Sequence, residues 1–408
     1  MLASLGRVPH CNVLDAPARA DYLPPCKIEA RVTGTRRKMM HTTMGEIEEK
    51  HARLEALRQA RGLEAILLTR NDNIAWATGG ARPYIAVNQD TGVCSILSDP
   101  HGFRLLANNI EEGRLLAEEL PAGSWRPVMQ PWYRESLPEA LGRAGVTRIG
   151  ADSAVEGAML LAREIAELRT PLLDVEIERY RSLGRDTGEA LEQAARQVRQ
   201  GDTEFQIAAR MAAALVEREI DPPVLLVAVD ERIRRIRHPL PTGLKVTERA
   251  MLVCCGRRHG LIASATRIVH LGAVPEEWRR RQEACARVDG AYLAATVPAA
   301  TAAQIFAAGE AAYAAEGYPG EWEHHHQGGA AGYAARDWFG TPTGAEVAHA
   351  GQAFAWNPSI AGAKVEDTVL LGERGIEILT ATGEWPEIEV EAAGKHFRRP
   401  GILALPAH

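Results

Sequence analysis

Three consecutive histidines dominate the chemistry that the carboxyl-terminal part of the sequence offers. His324, His325 and His326 lie within GEWEHHHQGGAAGYAARDWF, and a glycine pair that permits close backbone approach to a ligand follows them. Imidazole titrates near neutral pH, so it serves both proton transfer and metal binding. If this segment is extended, side chains alternate between its faces, and His324 shares one with His326. We therefore expect His326 to be catalytic and at least one of its neighbours to be structural.

The cysteines do not form a metal-binding framework. There are six of them, at positions 11, 26, 94, 254, 255 and 285, and no pair has the CxxC spacing. In a chain of this length, such cysteines are typical of reduced intracellular thiols. We therefore expect a cytoplasmic protein.

Composition and charge exclude several classes of function. The chain has 408 residues, which at ~100–200 residues per domain predicts two or three domains. The formal net charge is -6, which disfavours nucleic acid as a partner. No apolar run approaches the roughly 18 residues of a membrane span, and the amino terminus lacks the apolar core of a signal peptide. Residues 1–44 are aperiodic, so we expect a disordered extension or a start codon placed too early.

Strands and helices alternate over residues 45–170. Apolar runs predict strands at EAILLTR, GVCSILS and GFRLLAN, with a turn between the last two. Amphipathic patterns predict helices at NIEEGRLLAEEL and AVEGAMLLAREIAELR. This alternation predicts an α/β domain.

Residues 171–390 have a different order of elements. A long amphipathic helix begins at Asp174 and ends at Gly201, and Asp202-Thr203 caps the next one. RAMLVCCGRRHGLIASATRIVHLG predicts a hairpin, and two further helices precede strand-rich segments. Helices followed by strands predict an α+β domain, with residues 391–408 as a carboxyl-terminal tail.

Five segments, in order along the chain, resemble motifs of one superfamily. They are NIAWATGG (73–80), HPLPT (238–242), GLIASATRIVHLG (260–272), GQAFAWNPSI (351–360) and VEDTVLL (365–371). Together they resemble the creatinase/prolidase/aminopeptidase P superfamily, the M24 peptidases, over residues 45–385. The resemblance implies an α/β creatinase-like amino-terminal domain followed by an α+β catalytic domain of pita-bread fold. It also implies a homodimer.

The same resemblance implies a metal centre that this sequence does not retain. Typical members bind two metal ions through two Asp, one His and two Glu. The matching positions here are Cys254 or Val253, then Ser264, Gly329, Asn357 and Glu366. Only Glu366 is a family ligand, so we expect no metal and no other cofactor. A mononuclear zinc site made by Cys254, His326 and Glu366 is the alternative.

Creatinase is a metal-free member of this superfamily that cleaves a C–N bond with a histidine. His238 matches that histidine, so the resemblance assigns it general acid/base chemistry. Glu366 would orient His238 or protonate the leaving group, and in a metal-free cleft its pKa would be raised. Arg336 would hold a substrate carboxylate by a two-pronged bond. The remaining substrate contacts are expected at Ser264, Tyr333 and Asn357, and at Arg82, which matches a region that reaches the neighbouring subunit's site.

These inferences predict a metal-independent hydrolase or lyase. Its substrate would be a small carboxylate-bearing molecule or a short peptide. One alternative is an inactive pita-bread module that binds a peptide or a partner. Another is a metal-dependent Xaa-Pro aminopeptidase whose ligands lie elsewhere, which the absence of Asp between Asp230 and Asp289 disfavours.

Overall fold

The computed structural model describes residues 34–121, 125–134 and 136–406, with side chains from residue 45 onward. The chain divides into two units, Met1–Met39 and Met40–His408. The described part of the first unit, residues 34–39, forms the start of a helix. The extension expected over residues 1–44 therefore lies mostly outside the described residues. Within the described ranges, no helix is long and apolar enough to cross a membrane.

A mixed sheet with helices on both faces forms the amino-terminal part. Its elements are α1 (Gly34–Ala60), β1 (Ala65–Arg70), α2 (Asn71–Ala77), β2 (Thr91–Asp99), β3 (Gly102–Asn108), α3 (Glu112–Arg114), a π-helical turn (Leu115–Glu119), β4 (Arg126–Gln130), a 3-10 turn (Trp132–Arg134), α4 (Leu137–Ala144), β5 (Ile149–Ala151), β6 (Met159–Leu160) and α5 (Ala162–Leu168). The strand order is β4-β3-β2-β1-β5-β6. Along β1, Ile66 and Leu68 join one hydrophobic core while Leu67 joins another on the opposite face. Burial of both faces explains the continuous apolar run that the sequence shows there.

Two of the helices expected in this part are shorter in the structure. The helix expected over residues 154–169 is confined to α5, because Gly157 adopts a positive φ of 76° and residues 159–160 form β6 beside β5. The helix expected over residues 109–120 is reduced to α3 and the π-helical turn. Amphipathic periodicity alone did not distinguish these segments from continuous helices.

Two helix pairs packed on two sheets form the carboxyl-terminal part. Its elements are α6 (Asp174–Arg196), α7 (Glu204–Val216), β7 (Asp221–Val229), α8 (Arg232–Arg235), β8 (Arg249–Arg258), β9 (Leu261–Leu271), α9 (Glu276–Ala295), α10 (Ala302–Ala315), a 3-10 turn (Glu321–His324), β10 (Gly328–Ala331), β11 (Trp338–Phe339), β12 (Gln352–Trp356), β13 (Ser359–Ile360), β14 (Ala363–Lys364), β15 (Asp367–Gly372), β16 (Gly375–Ile378), β17 (Glu387–Ala392), β18 (Lys395–Pro400) and β19 (Ile402–Leu405). The two larger sheets have the orders β19-β9-β8-β7 and β11-β10-β12-β15-β16. Helices α6 and α7 pack on the first sheet, and α9 lies against the second. This arrangement confirms the α+β fold.

Local sequence signals explain where these helices begin. Thr203 accepts a hydrogen bond from the Gln206 backbone, and the Gln206 side chain accepts one from Thr203. Thr301 and Gln304 make the same reciprocal pair at the start of α10. Each capping box satisfies two backbone donors that would otherwise lack a partner.

Residues 391–406 are hydrogen-bonded to the body of the fold. Strand β18 pairs with β17, and β19 pairs in parallel with β9. The segment that the sequence suggested to be a tail therefore extends the sheet that carries the hairpin β8–β9.

Candidate active site

A cavity of about 650 Å³ lies between the amino-terminal sheet and the carboxyl-terminal part of the fold. Its amino-terminal lining is Arg70–Asp72, Ala75, Tyr84 and Val87–Asp90. Its other walls come from strands β7–β9 and from His238, His326, Tyr333–Arg336, Phe339, Asn357, Lys364 and Glu366. Six of the eight residues that the sequence indicated therefore line one cavity: His238, His326, Tyr333, Arg336, Asn357 and Glu366. Ser264 and Arg82 are not among the lining residues.

The histidines lie on two loops that meet at the cavity. His238 follows α8, and its Nε2 is 3.0 Å from Nε2 of His325, which is buried. The ring centroids of His325 and His326 are 4.7 Å apart, and that of His326 is 5.3 Å from His238. The three imidazoles therefore form one cluster at the cavity wall.

The backbone conformation before β10 decides which histidines meet. A 3-10 turn ends at His324, and His325 then becomes extended, with φ −158° and ψ 139°. His324 consequently points to solvent, while the following two reach the cluster. The predicted pairing of His324 with His326 on one face is therefore wrong, because the segment is not a regular strand. His325 was missed, and no local sequence signal marks the turn that buries it.

Burial and nearby cations keep these imidazoles neutral. Burial, then the charge of Lys364, lowers the pKa of His325 to about 2. Burial, then Arg336, lowers the pKa of His326 to about 4. The pKa of His238 is also lowered, by burial and Lys364, with Glu366 opposing the shift. At neutral pH the three imidazoles are therefore unprotonated.

Glu366 is held as an anion by three partners. Its Oε1 accepts a hydrogen bond from an Arg336 terminal nitrogen at 3.0 Å, and its Oε2 lies 3.0 Å from Lys364 Nζ. Thr266 Oγ1 donates to Oε2 at 2.8 Å. Burial acts to raise the pKa of Glu366, but the charges of Lys364 and Arg336 outweigh it and lower the pKa to about 2. The expected raised pKa is therefore wrong, and Glu366 has no proton to give a leaving group near neutral pH.

Lys364 is a site residue that the sequence analysis missed. It is 4% exposed, lies in β14 and lines the cavity. Residues two apart in an extended segment share a face, so Lys364 reaches the same side as Glu366. The Lys-Val-Glu spacing is a signal that could have identified it.

Four residues that line the cavity have a buried polar atom without a hydrogen-bond partner among the described residues. These atoms are Oδ1 of Asn357, Nε of Arg336, Nε of Arg257 and Oδ1 of Asn71. A buried polar atom without a partner costs about 1–3 kcal/mol, so a native structure retains such atoms where a ligand or water can satisfy them. Arg336 engages Glu366 and the Ala335 carbonyl through its terminal nitrogens. These contacts use two of its five N–H donors, so the two-pronged bond expected from Arg336 to a substrate carboxylate stays a prediction.

Cys254 and Ser264 do not lie where their expected roles require. Cys254 is fully buried in the hydrophobic core on the side of β8 away from the cavity. A zinc site combining it with His326 and Glu366 is therefore excluded by geometry. Cys255 lines the cavity, and its Sγ lies 3.1 Å from Ser264 Oγ. Ser264 is thus beneath the cavity wall and does not reach a ligand in this conformation.

Tyr333 and Arg82 have other partners. The Tyr333 hydroxyl donates to Glu176 at 2.5 Å and accepts from Lys50 at 3.3 Å, so only its ring faces the cavity. Arg82 is largely exposed and pairs with Glu119 at 2.9 Å. A role for Arg82 in a neighbouring subunit's site stays a prediction.

Two family descriptions match consecutive parts of the chain. Residues 50–182 match the creatinase/prolidase N-terminal domain, and residues 178–373 match metallopeptidase family M24. The chain belongs to the creatinase/prolidase superfamily of M24 peptidases, which confirms the predicted family and fold. No curated protein matches the chain.

Solved structures share the fold at low sequence identity. The prolidase from Pyrococcus horikoshii OT3 aligns with a TM-score of 0.70 and 18% identity, over 82% of this chain and 98% of its own. The dipeptidase PepE from Mycobacterium ulcerans aligns with a TM-score of 0.70 and 17% identity, over 89% and 99%. The N-terminal domain of FACT complex subunit SPT16 from Cicer arietinum aligns with a TM-score of 0.63 and 10% identity, over 85% and 97%. These similarities support the fold alone.

The residues present do not fit the dinuclear metal centre implied by the resemblance. Hard dinuclear sites need several anionic oxygens, and Glu366 is the one carboxylate among the five matching positions. Both of its oxygens are already engaged by Lys364, Arg336 and Thr266. A dication at this carboxylate would have to displace an ammonium or a guanidinium group.

The histidine cluster offers a different set of metal donors. One nitrogen from each of His238, His325 and His326 lies within 4.8 Å of the others, and three imidazoles are a zinc-type donor set. The charges of Lys364 and Arg336 act on these same rings, as the lowered pKa values of His325 and His326 show. Two cations against one carboxylate leave the site net positive, which opposes a further dication.

Proposed function

We propose that the chain is a hydrolase of M24 type that cleaves a C–N bond without the family's dinuclear metal centre. The substrate class is a small carboxylate-bearing or peptide-like molecule, as the superfamily resemblance implies. The observation that carries this proposal is the pairing of a neutral, accessible His238 with a fixed cationic group, Lys364–Glu366–Arg336, in one cavity.

His238 is the proton carrier in this proposal. Its neutral imidazole accepts a proton from water as the water oxygen bonds to the scissile carbon. The same proton then moves to the leaving nitrogen as the C–N bond breaks, so His238 returns to its starting state. The Nε2–Nε2 contact with His325 lets the buried imidazole orient His238.

Glu366 has a supporting role. As a stable anion it positions Lys364 and Arg336, whose charges face the cavity. His326, the third member of the cluster, faces the substrate and orients it. The free Nε of Arg336 offers the substrate carboxylate a hydrogen bond.

Arg257 is a second cationic candidate for that carboxylate. It lines the cavity, its guanidinium stacks 4.0 Å from the centroid of the Tyr84 ring, and its Nε is buried without a partner among the described residues. Sequence reasoning missed it because arginine at a hairpin end is an ordinary surface feature.

Turnover of a panel of small amides, amidines and dipeptides tests the proposal. Metal-stripped protein should hydrolyse at least one member, and His238→Gln should abolish that activity. Turnover that appears only after addition of manganese, cobalt or zinc would contradict metal-independent chemistry.

The second candidate is a module that binds a ligand without turning it over. The observation that favours it is that Glu366 is ion-paired with both Lys364 and Arg336. These ion pairs would stabilise the fold even if the protein catalysed no reaction. Binding of a panel member with no turnover at any pH would support this candidate over the enzyme.

We also propose that the protein is cytoplasmic and forms a homodimer. Within each chain, the proposed domains span residues 45–170 and 171–390. The family resemblance and the composition support these proposals.

A further inference from the structure

The segment that joins β12 to β15 places four polar residues side by side. Ser359 in β13 is paired with Lys364 in β14. The same antiparallel register sets Asn357 opposite Glu366, and the Val365 amide donates to the Pro358 carbonyl between the two pairs. Opposed residues of antiparallel segments share a face, so Asn357, Lys364 and Glu366 are neighbours on the cavity side.

This group combines an unused acceptor with an incompletely used donor. Asn357 is 3% exposed, and its Oδ1 has no partner among the described residues. Lys364 has three N–H donors. Among the described residues it forms an ion pair with Oε2 of Glu366 alone, so donors remain for a ligand. Both residues line the same cavity.

We propose that Asn357 and Lys364 form a subsite for an amide or ureido group. The Lys364 ammonium donates to the carbonyl oxygen of the ligand, and Asn357 Oδ1 accepts from the adjacent N–H. The binding role of this subsite does not require catalysis, whereas its catalytic role rests on the proposed hydrolysis. In that reaction, Lys364 supplies the positive charge that metal ions supply in metallopeptidases of the family.

The charge balance of the site supports this assignment. Glu366 neutralises one of its two cationic neighbours, so one positive charge remains beside the cavity. When water adds to the scissile carbon, the carbonyl electron pair moves onto the oxygen. A cation already fixed at that oxygen stabilises the developing negative charge without reorganising.

Ligand binding tests the subsite without requiring turnover. The probes are N-acetyl-alanine and its ester isostere O-acetyl-lactate, which keeps the carbonyl and carboxylate but lacks the N–H. Calorimetry on the full chain should show the amide bound about tenfold or more tightly than the ester. Asn357→Leu should remove that preference, so that the amide and the ester bind about equally.

The same variant separates a ligand subsite from a structural asparagine. Removing a buried acceptor that has no partner should leave the thermal midpoint of Asn357→Leu equal to or above that of the wild type. A fall in the midpoint together with an unchanged preference would show that Asn357 is a structural residue and overturn the proposal.

Lys364 needs a variant that tolerates loss of its charge. Lys364→Met combined with Glu366→Gln removes the ion pair as a unit, and this double variant should bind both probes more weakly. With Lys364→Ala, ethylammonium added to the solution should restore amide binding if the missing ammonium is the cause. Unchanged binding in the double variant would exclude Lys364 from the subsite.

The experiments distinguish failure of the proposed subsite from failure of the proposed hydrolysis. An amide preference that depends on Asn357, without turnover of any substrate, would support the subsite and contradict the proposed hydrolysis. Turnover with equal binding of amide and ester would support hydrolysis and contradict the subsite.

Discussion

At the scale of single residues, the site depends on two cationic side chains that flank Glu366. Lys364 and Arg336 both contact Glu366 at 3.0 Å, and this arrangement makes Glu366 a permanent anion. The histidines next to it are neutral mainly because they are buried, and the charges of Lys364 and Arg336 lower their pKa values further. Burial and fixed charge together therefore set the protonation states of the group.

His238→Gln should lower turnover by roughly 10²–10⁴-fold, the usual contribution of a general acid/base. The thermal midpoint should change little, because His238 is exposed to the cavity. His324→Gln is the matched control, since this exposed histidine lies outside the cluster. Equal activity of His238→Gln and wild type would remove His238 from the mechanism.

The buried His325 should make the folded state sensitive to acid. An unfolded histidine takes up a proton near pH 6.5, whereas the pKa of folded His325 is lowered to about 2 by burial and Lys364. Its folded pKa is below the unfolded value, so stability is lost as pH falls below about 6.5. One proton corresponds to a slope of about 1.4 kcal/mol per pH unit.

Urea unfolding between pH 6 and 4.5 measures this slope. His325→Gln should show a smaller pH dependence than wild type by about one proton, and His324→Gln should match the wild type. Burial raises the pKa of Asp289 to about 6, so this group titrates in the same pH range. Its contribution to the pH dependence is the same in all three proteins and cancels when their slopes are compared. Identical slopes for wild type and His325→Gln would show that His325 is not buried as a neutral group.

The sequence was sufficient to predict several of the residues that line the cavity but not how they pair. His238, Asn357 and Glu366 follow from their positions in family-like motifs, His326 follows from the run of histidines, and all four line the cavity. The burial of His325 depends on contacts with His238 and Ser359, which are distant in the sequence, and the saturation of Glu366 depends in part on the equally non-local Arg336. Such contacts leave no trace in local periodicity, so the raised pKa expected for Glu366 took the opposite direction.

At the scale of elements, strand β10 explains why the family's histidine has no counterpart here. Gly328 adopts φ 87°, and a Cβ placed on it would lie 2.1 Å from the Ala355 carbonyl oxygen. A Cβ on Gly329 would lie 2.1 Å from the Trp338 carbonyl oxygen. The close approach of three strands therefore requires glycine at both positions, including the position that matches the metal-binding histidine.

Gly329→Ala should destabilise the fold by roughly 1–3 kcal/mol or more, because the strand must move to relieve the clash. Gly142→Ala in α4 is the matched control: no atom lies within 4 Å of its added Cβ, and alanine favours a helix interior. Chemical denaturation measures both. A Gly329→Ala protein as stable as wild type would contradict the tight pairing of β10 with its neighbours.

Element order was the most predictable level of structure. The apolar runs of β1, β8 and β9 and the capping box at Thr203 correspond to elements that form where their patterns indicate. The short strand β6 was missed because two residues carry too little periodicity. Strands β18 and β19 were missed because their alternation is weak beside the charged residues of the hairpin.

At the scale of the whole molecule, we expect the chain to be a homodimer. The loop after His238 and the start of α7 carry apolar side chains that are more than half exposed: Leu240 at 71%, Leu244 at 53% and Phe205 at 61%. Backbone hydrogen bonds bring residues 204 and 205 next to 242–244, so these side chains form one patch. Light scattering should give twice the chain mass of 44.4 kDa. A monomer at micromolar concentration would contradict this expectation.

The metal content of the protein tests the central claim most directly. Tag-free protein, purified with and without a chelator, should contain far less than one equivalent of manganese, cobalt or zinc by elemental mass spectrometry. This result follows from the cations that already occupy both oxygens of Glu366. Stoichiometric metal that is lost in Glu366→Gln would contradict the account and restore a metal-dependent peptidase. Stoichiometric metal that is lost in His325→Gln would assign the ion to the histidine cluster and contradict it equally.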